Sequence, residues 1–269
     1  MLNRVSREEW SDGVSLMALR ILSYNILAGG EDRLPLIARI IQQQQPDVVA
    51  LMEARSRPNA EALAQQLEMS LTFGEANNNN QNHVVWMSHF PVIRTENHQL
   101  PVLSKTLLEI QILWERTPVA LFATHLQAGQ NHESEHFRVA EMQAILELLH
   151  SRSNQLHALV GDLNTIHPAD NPNTLMYITA LKAKGVEAPD PRFPGQVIPF
   201  LLEAGYVDCY RALHPMTAGY TFPTPYRALR IDYMFVSPMF AQHLYASDIV
   251  TVGDAERASD HFPIWAEFR

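Results

Sequence analysis

Near the end of the chain, the run Ser259-Asp260-His261-Phe262-Pro263-Ile264 sets a carboxylate directly beside an imidazole where an apolar strand begins. Neighbours on a regular strand point to opposite faces. The two side chains therefore share a site only where a strand entrance or bulge turns both toward one cleft. There, one can ligate a metal and the other can move a proton. Four polar clusters upstream also end apolar runs: Ser23-Tyr24-Asn25, Leu51-Met52-Glu53, Thr124-His125-Leu126 and Gly161-Asp162-Leu163-Asn164. Ile231-Asp232-Tyr233 stands just ahead of the C-terminal pair. Strands that deliver polar residues into loops are where α/β proteins build sites. Together these junctions supply Asn25 and Asn164, His125 and His261, and the carboxylates Glu53, Asp162, Asp232 and Asp260.

This set matches the needs of phosphoester hydrolysis. A divalent cation must neutralise the phosphate, a base must take a proton from water, and donors must steady the transition state. Mg²⁺ prefers a few carboxylates and keeps several waters. Glu53 is the best first ligand and Asp260 a second, while the Asn25 amide can hold a ligand or the attacking water. Asp162 and Asn164 lie two apart on one face of an extended segment, so both can reach one phosphate. His261 is the candidate general acid/base, and its imidazole needs a carboxylate partner for tuning and orientation. Arg227 and Arg230, ahead of Asp232, are candidates for binding a non-bridging phosphate oxygen of the substrate, or else a neighbouring charged group.

The ordered motifs YNIL, ALMEA, THLQAG, GDLNT, RIDYMFVS and SDHFPI resemble the endonuclease/exonuclease/phosphatase superfamily across almost the whole chain. The resemblance implies an α/β fold, a four-layer α/β sandwich with two packed, largely antiparallel sheets and outer helices. It also implies Mg²⁺, with Mn²⁺ as a substitute, and a metal-binding role for Glu53. Asp162 and Asn164 then bind or activate the nucleophile and stabilise the transition state. Asp232 partners His261, and His125 is a second phosphate-facing donor. Two departures stand out. Many abasic-site endonucleases carry an acid where this chain has Leu27, and often a tyrosine where it has His125. Both differences point away from DNA repair and toward the deoxyribonuclease, sphingomyelinase and phosphatase side.

The elements that must position these residues alternate from the start. Residues 19–26 read as a strand, and residues 33–43 as a helix with a stripe of Leu34, Ile37, Ile40 and Ile41. Pro46 closes that helix before a buried strand at 47–52. A second helix spans 59–67, and a polar loop 77–82. Strands follow at 83–88, 92–98, 105–114 and 118–125, the last two joined by a hairpin at Glu115-Arg116-Thr117. Residues 133–150 read as an amphipathic helix with Phe137, Ala140, Ile145, Leu148 and Leu149 inward. A strand at 156–161 ends at Asp162, a helix lies near 175–184, and strands at 230–236, 247–252 and 262–268 finish the chain. Residues 1–16 are expected as an N-terminal extension and 17–269 as a single catalytic domain, with 185–227 shaping the substrate pocket.

Composition narrows the chemistry. The chain has 269 residues, 46% of them hydrophobic, enough for one large α/β domain. It shows no apolar run of the ~20 residues a membrane span needs. Its charged start does not read as a secretory signal. Cys209 is the single cysteine, so no intrachain disulfide forms, which fits a cytoplasmic protein. With 20 basic against 29 acidic side chains, the formal charge is −9. Proteins held to DNA by its phosphates present a basic face. The charge disfavours nucleic acid as partner and suits a smaller phosphoester, and no obligate protein partner is visible. The expected function is hydrolysis of phosphoesters, diesters ahead of monoesters, with a DNA or RNA nuclease as the alternative. Two readings of other classes compete. His132-Glu133-Ser134-Glu135-His136 matches the HExxH pattern of zinc metallopeptidases, though its polar neighbours are wrong for a buried zinc helix. A non-catalytic binding protein on the same fold would be expected to lack members of the polar set.

Overall fold

A computed structural model describes residues 17–77, 80–186 and 193–269, with the backbone of residues 10–11 and 14–15. The expected extension, residues 1–16, lies outside the described residues except for the paired strands β1 (Trp10–Ser11) and β2 (Val14–Ser15). Asn78 and Asn79 of the polar loop and residues 187–192 of the expected pocket segment also lie outside them.

The first half of the chain forms β3 (Leu19–Asn25), α1 (Leu34–Gln44), β4 (Val48–Met52), α2 (Arg57–Gln66), β5 (Ser70–Gly74), β6 (Val84–Ser88), β7 (Val92–His98) and β8 (Leu107–Trp114). The second half forms β9 (Thr117–His125), α3 (His132–His150), β10 (Leu156–Asp162), α4 (Thr174–Ala183), α5 (Val197–Glu203), β11 (Val207–Asp208), α6 (Cys209–Leu213), β12 (Asp232–Val236), α7 (Pro238–Ala241), β13 (Leu244–Ile249), α8 (Ala255–Ala258) and β14 (Ile264–Phe268). One sheet runs β13-β14-β3-β4-β6-β5 and the other β11-β12-β10-β9-β8-β7. Only β3/β4 and β9/β10 are parallel within these sheets. Parallel neighbours need a crossover, and α1 and α3 supply the two.

Alternation along the strands explains the layers. Leu19 and Ile21 of β3, Ala50 of β4 and Trp86 of β6 meet Ile110, Leu121 and Val160 of the other sheet in the central core. The residues between them face outward: Leu22, Tyr24, Val49 and Leu51 pack under Ile37, Ile40 and Ile41 of α1. On the other sheet Phe122 and Leu159 pack under Met142, Ile145 and Leu149 of α3. Both faces of each sheet are therefore apolar, which is why the strands read as near-continuous apolar runs. The order helix, sheet, sheet, helix is the expected sandwich. Among the described residues, no helix is long and apolar enough to cross a membrane.

The helix at 132–150 departs from the expected pattern. Phe137 is 56% exposed, and the inward face beside it carries Glu135, Arg138 and Glu141, all buried. This end of α3 covers loops rather than strands, and loop backbone groups need polar partners. Strand β5 was not expected. It lies at the edge of its sheet, and its exposed and half-buried residues give a weak apolar signal.

Strand register sets the site. Asp162 stands opposite His125 across β10/β9 and opposite Asp232 across β10/β12. Just before Asp162, Gly161 has φ 142°, and a Cβ there would sit 1.9 Å from the Thr124 carbonyl oxygen. Glycine is what lets β10 close on β9 at the residue before the site.

Candidate functional site

Asn25, the last residue of β3, reaches Asp162 on the facing sheet. Its Nδ2 donates to Asp162 Oδ2 at 2.9 Å and to Glu53 Oε1 at 3.3 Å. Glu53 follows β4 with φ 61°, and its Oε2 accepts the Ala28 amide at 2.8 Å. Asn164 follows β10 with φ 50°. Its backbone N–H donates to Asp162 Oδ1 at 3.0 Å, and its side-chain amide donates to the Leu126 carbonyl at 3.2 Å. Left-handed backbone at non-glycine residues costs energy and clusters where side chains must be aimed.

Asp260 and His261 lie in the irregular stretch ahead of β14, which begins only at Ile264. Ser259 shapes that entrance: its hydroxyl donates to the Asn25 carbonyl at 2.6 Å and accepts the His261 amide at 3.2 Å. His261 Nδ1 donates to Asp232 Oδ2 at 2.8 Å. Its Nε2 lies 3.8 Å from Asp162 Oδ2 and 4.0 Å from Asp260 Oδ1. His125 Nε2 lies 3.4 Å from the same Asp162 oxygen. Asn25, Glu53, His125, Asp162, Asn164, Asp232, Asp260 and His261 thus converge, with Asp162 at the centre.

Charge distributes unevenly among them. Burial alone lowers the His261 pKa, but Asp232, Asp162 and Asp260 outweigh it and push it up to about 10. Burial raises Asp162; His261 opposes the rise, Asp232 adds to it, and the result is about 7. Burial, with Lys105 and His261 nearby, holds His125 well below the usual histidine range. His261 is therefore an imidazolium at neutral pH and His125 a neutral imidazole. Stability from His261 is complete below its unfolded value of 6.5 and is lost as pH rises through about 10. Asp162 opposes folding increasingly as pH rises from its unfolded 3.8 to about 7.

A centre that keeps a proton on a carboxyl near neutrality is short of positive charge. Glu53, Asp162, Asp232 and Asp260 face the cations His261 and Lys105, and among the described residues Asp232 Oδ1 is buried without a hydrogen-bond partner. The donors are mostly oxygens, the set a hard divalent cation prefers. The residues fit such an ion. The ligating atoms of Asp162, Asp232 and His261 lie within 4.8 Å of one another.

The structure does not bring Arg230 to this cluster. Its guanidinium is buried, with Nε 2.9 Å from Asp170 Oδ2 and Nη1 2.7 Å from Asp208 Oδ2. Substrate binding by Arg230 is corrected on this ground: it is the counterion of two buried carboxylates. Arg227 is exposed and pairs with Glu256 at 2.8 Å, its guanidinium 5.2 Å from the centre of the Phe262 ring. The zinc alternative, already disfavoured by its polar neighbours, gains no support either. His132, Glu133 and His136 are exposed on the first turns of α3. Among the described residues, they belong to no group of three that could hold a metal.

Sequence reasoning missed Lys105 and the buried stripe of α3. Glu135 accepts the Thr165 hydroxyl at 2.9 Å and the Gln196 and Val197 amides. Arg138 donates to the Gln127 and Gly129 carbonyls at 2.8 and 2.7 Å, and Glu141 accepts the Gln127 amide at 2.8 Å. These bonds tie the loop that follows His125 and the loop that carries Asn164 to one helix. The available signal was charge at every third position, 135, 138 and 141, along one helix face.

A sequence model of the Endonuclease/Exonuclease/phosphatase family matches residues 22–261. Exodeoxyribonuclease III of Haemophilus influenzae is 27% identical over 282 residues, spanning 93% of this chain and 100% of that one. The structure of an AP endonuclease from Archaeoglobus fulgidus has TM-score 0.70 at 21% identity, over 93% of this chain and 99% of its own. The Neisseria 3′ phosphatase NExo, bound to a product DNA hairpin, has TM-score 0.72 at 21% identity over the same shares, 93% and 99%. At such identities the two structures establish a common fold.

Proposed function

This chain belongs to the endonuclease/exonuclease/phosphatase family, and from that premise we propose that it hydrolyses phosphodiesters with Mg²⁺ by in-line attack of water. One observation carries the reading: Asp162 sits among Asn25, Asn164, His125 and an imidazolium held by Asp232. A carboxyl that titrates at about 7 is matched to taking a proton from water near neutral pH. Asn25 and Asn164 orient that carboxylate and the water. His261, kept charged and fixed by Asp232, offers its Nε2 proton to a non-bridging oxygen as negative charge develops. Neutral His125 is a second donor on the same side. Glu53, Asp260 and the Asn25 amide would hold the cation, which when bound neutralises the phosphate and stabilises the transition state.

The class of diester is the finer question. The Haemophilus relative bears a DNA-exonuclease name, and the Neisseria structure contains DNA, which supports a nuclease. The formal charge of −9 favours a substrate contacted at few phosphates, and Leu27 and His125 point away from abasic-site endonucleases. The test is parallel turnover of bis(p-nitrophenyl) phosphate, p-nitrophenyl phosphate and supercoiled plasmid in Mg²⁺. The diester is expected to turn over faster than the monoester. Preference for the monoester would overturn the diester reading, and efficient plasmid nicking would favour the nuclease.

A further inference from the structure

Lys105 stands on the stretch entering β8 and is 4% exposed. Its ammonium donates to the Leu126 carbonyl at 2.6 Å. The same carbonyl accepts the side-chain amide of Asn164 at 3.2 Å. A lysine carries three N–H donors. Among the described residues, the Lys105 ammonium makes this one hydrogen bond and no ion pair. The charges that act on it are Asp162, Glu141 and Glu53, with Arg138 opposing. Glu141 is already occupied: Oε1 by the Ser104 amide and hydroxyl, Oε2 by the Gln127 amide. Burying an ammonium without a contacting counterion is among the most costly arrangements in a fold. A neutral side chain of the same length would fill the space more cheaply. Breaches of this kind concentrate where a ligand completes the arrangement.

We infer that Lys105 is a further member of the phosphate-binding centre, its two unspent N–H donors meeting a non-bridging phosphoryl oxygen beside Asp162. This rests on the phosphodiesterase reading. Through the shared Leu126 carbonyl, Lys105 also holds Asn164 and the end of the strand that carries His125. The ligand is a phosphoryl oxyanion, and lysine serves as a point charge for it rather than a bidentate clamp.

Lys105→Met removes charge and donors while keeping length; Lys105→Arg keeps the charge. In Mg²⁺, Lys105→Met should lose about 100-fold of kcat on bis(p-nitrophenyl) phosphate, the scale of one oxyanion donor. Competitive inhibition by inorganic phosphate should weaken about tenfold, within the range of a charge-assisted contact. The Tm should stay at or above that of the wild type, and Lys105→Arg should restore part of both losses. Unchanged kcat and unchanged phosphate inhibition in a folded Lys105→Met would overturn the inference. So would parallel loss of Tm and activity in both variants, which marks a purely structural lysine. Phosphate binding is also read without turnover, as the rise in Tm on adding inorganic phosphate. If the wild type hydrolyses no diester but phosphate raises its Tm and not that of Lys105→Met, the function reading fails and the phosphate site stands.

Discussion

Asp162→Asn should leave the fold intact and lower kcat by about 10³-fold, within the range of a lost general base. The replacement is isosteric, and its side-chain oxygen can still accept the Asn164 amide that now reaches Asp162 Oδ1 at 3.0 Å, although its amide nitrogen cannot accept the Asn25 bond that Oδ2 takes at 2.9 Å. It removes the one carboxylate that touches Asn25 at 2.9 Å and lies within 4 Å of both histidines. It also removes a buried group that holds a proton up to about 7. The metal-free variant should therefore melt higher than the wild type at pH 8. Its stability should change less between pH ~4 and ~7, because the wild type loses stability there as Asp162 ionises. A kcat within tenfold of wild type would remove Asp162 from the role of base. An unaltered pH dependence of Tm would contradict the charge balance described for the site.

Arg230→Ala should destabilise the protein by about 3–5 kcal/mol, the usual result of removing one partner from a buried ion pair. Arg230 holds Asp170 and Asp208 at 2.9 and 2.7 Å, and its guanidinium lies 4.4 Å from the centre of the Tyr233 ring. Without it, Asp208 loses its ion pair and Asp170 keeps only Arg211, at 2.7 Å. Urea unfolding at pH 7 measures the loss. In the folded fraction, kcat and KM should stay close to wild type. A large rise in KM at full stability would instead return Arg230 to the substrate.

The strand ends that build the site were legible because each broke an apolar run. Asn25, His125, Asp162 and Asp232 close or open strands buried on both faces, so their polarity stood out. Asp260 and His261 were legible as a pair because Pro263 delays the strand until Ile264. Family resemblance added the sandwich, which alternation alone does not specify. Arg230 meets the second of the two partners that its place ahead of Asp232 allowed, a neighbouring charged group rather than a phosphate oxygen, although alternation along an extended strand would put it on the face of Asp232. The strand begins only at Asp232, and the Arg230 carbonyl accepts the Tyr233 hydroxyl at 3.0 Å, so the alternation does not extend back to it. Lys105, Glu135, Arg138 and Glu141 were hidden for a different reason. Charged residues are normally surface residues, so charge at every third position of a helix also fits a solvated face, and nothing local marks Lys105. Apart from the Glu135–Arg138 ion pair, most of their partners are groups on loops, visible only once the chain is folded. Phe137 shows the converse, a large apolar residue left exposed because its helix face turns away from the sheet.

The most direct measurement is turnover of bis(p-nitrophenyl) phosphate by protein stripped of divalent cations, before and after adding Mg²⁺, beside His132→Ala. The expected result is no turnover in chelator, recovery with Mg²⁺ or Mn²⁺, and an unaffected His132→Ala. Turnover that survives chelation, or that needs zinc and His132, would contradict a Mg²⁺-dependent phosphoesterase built on Asp162 and His261.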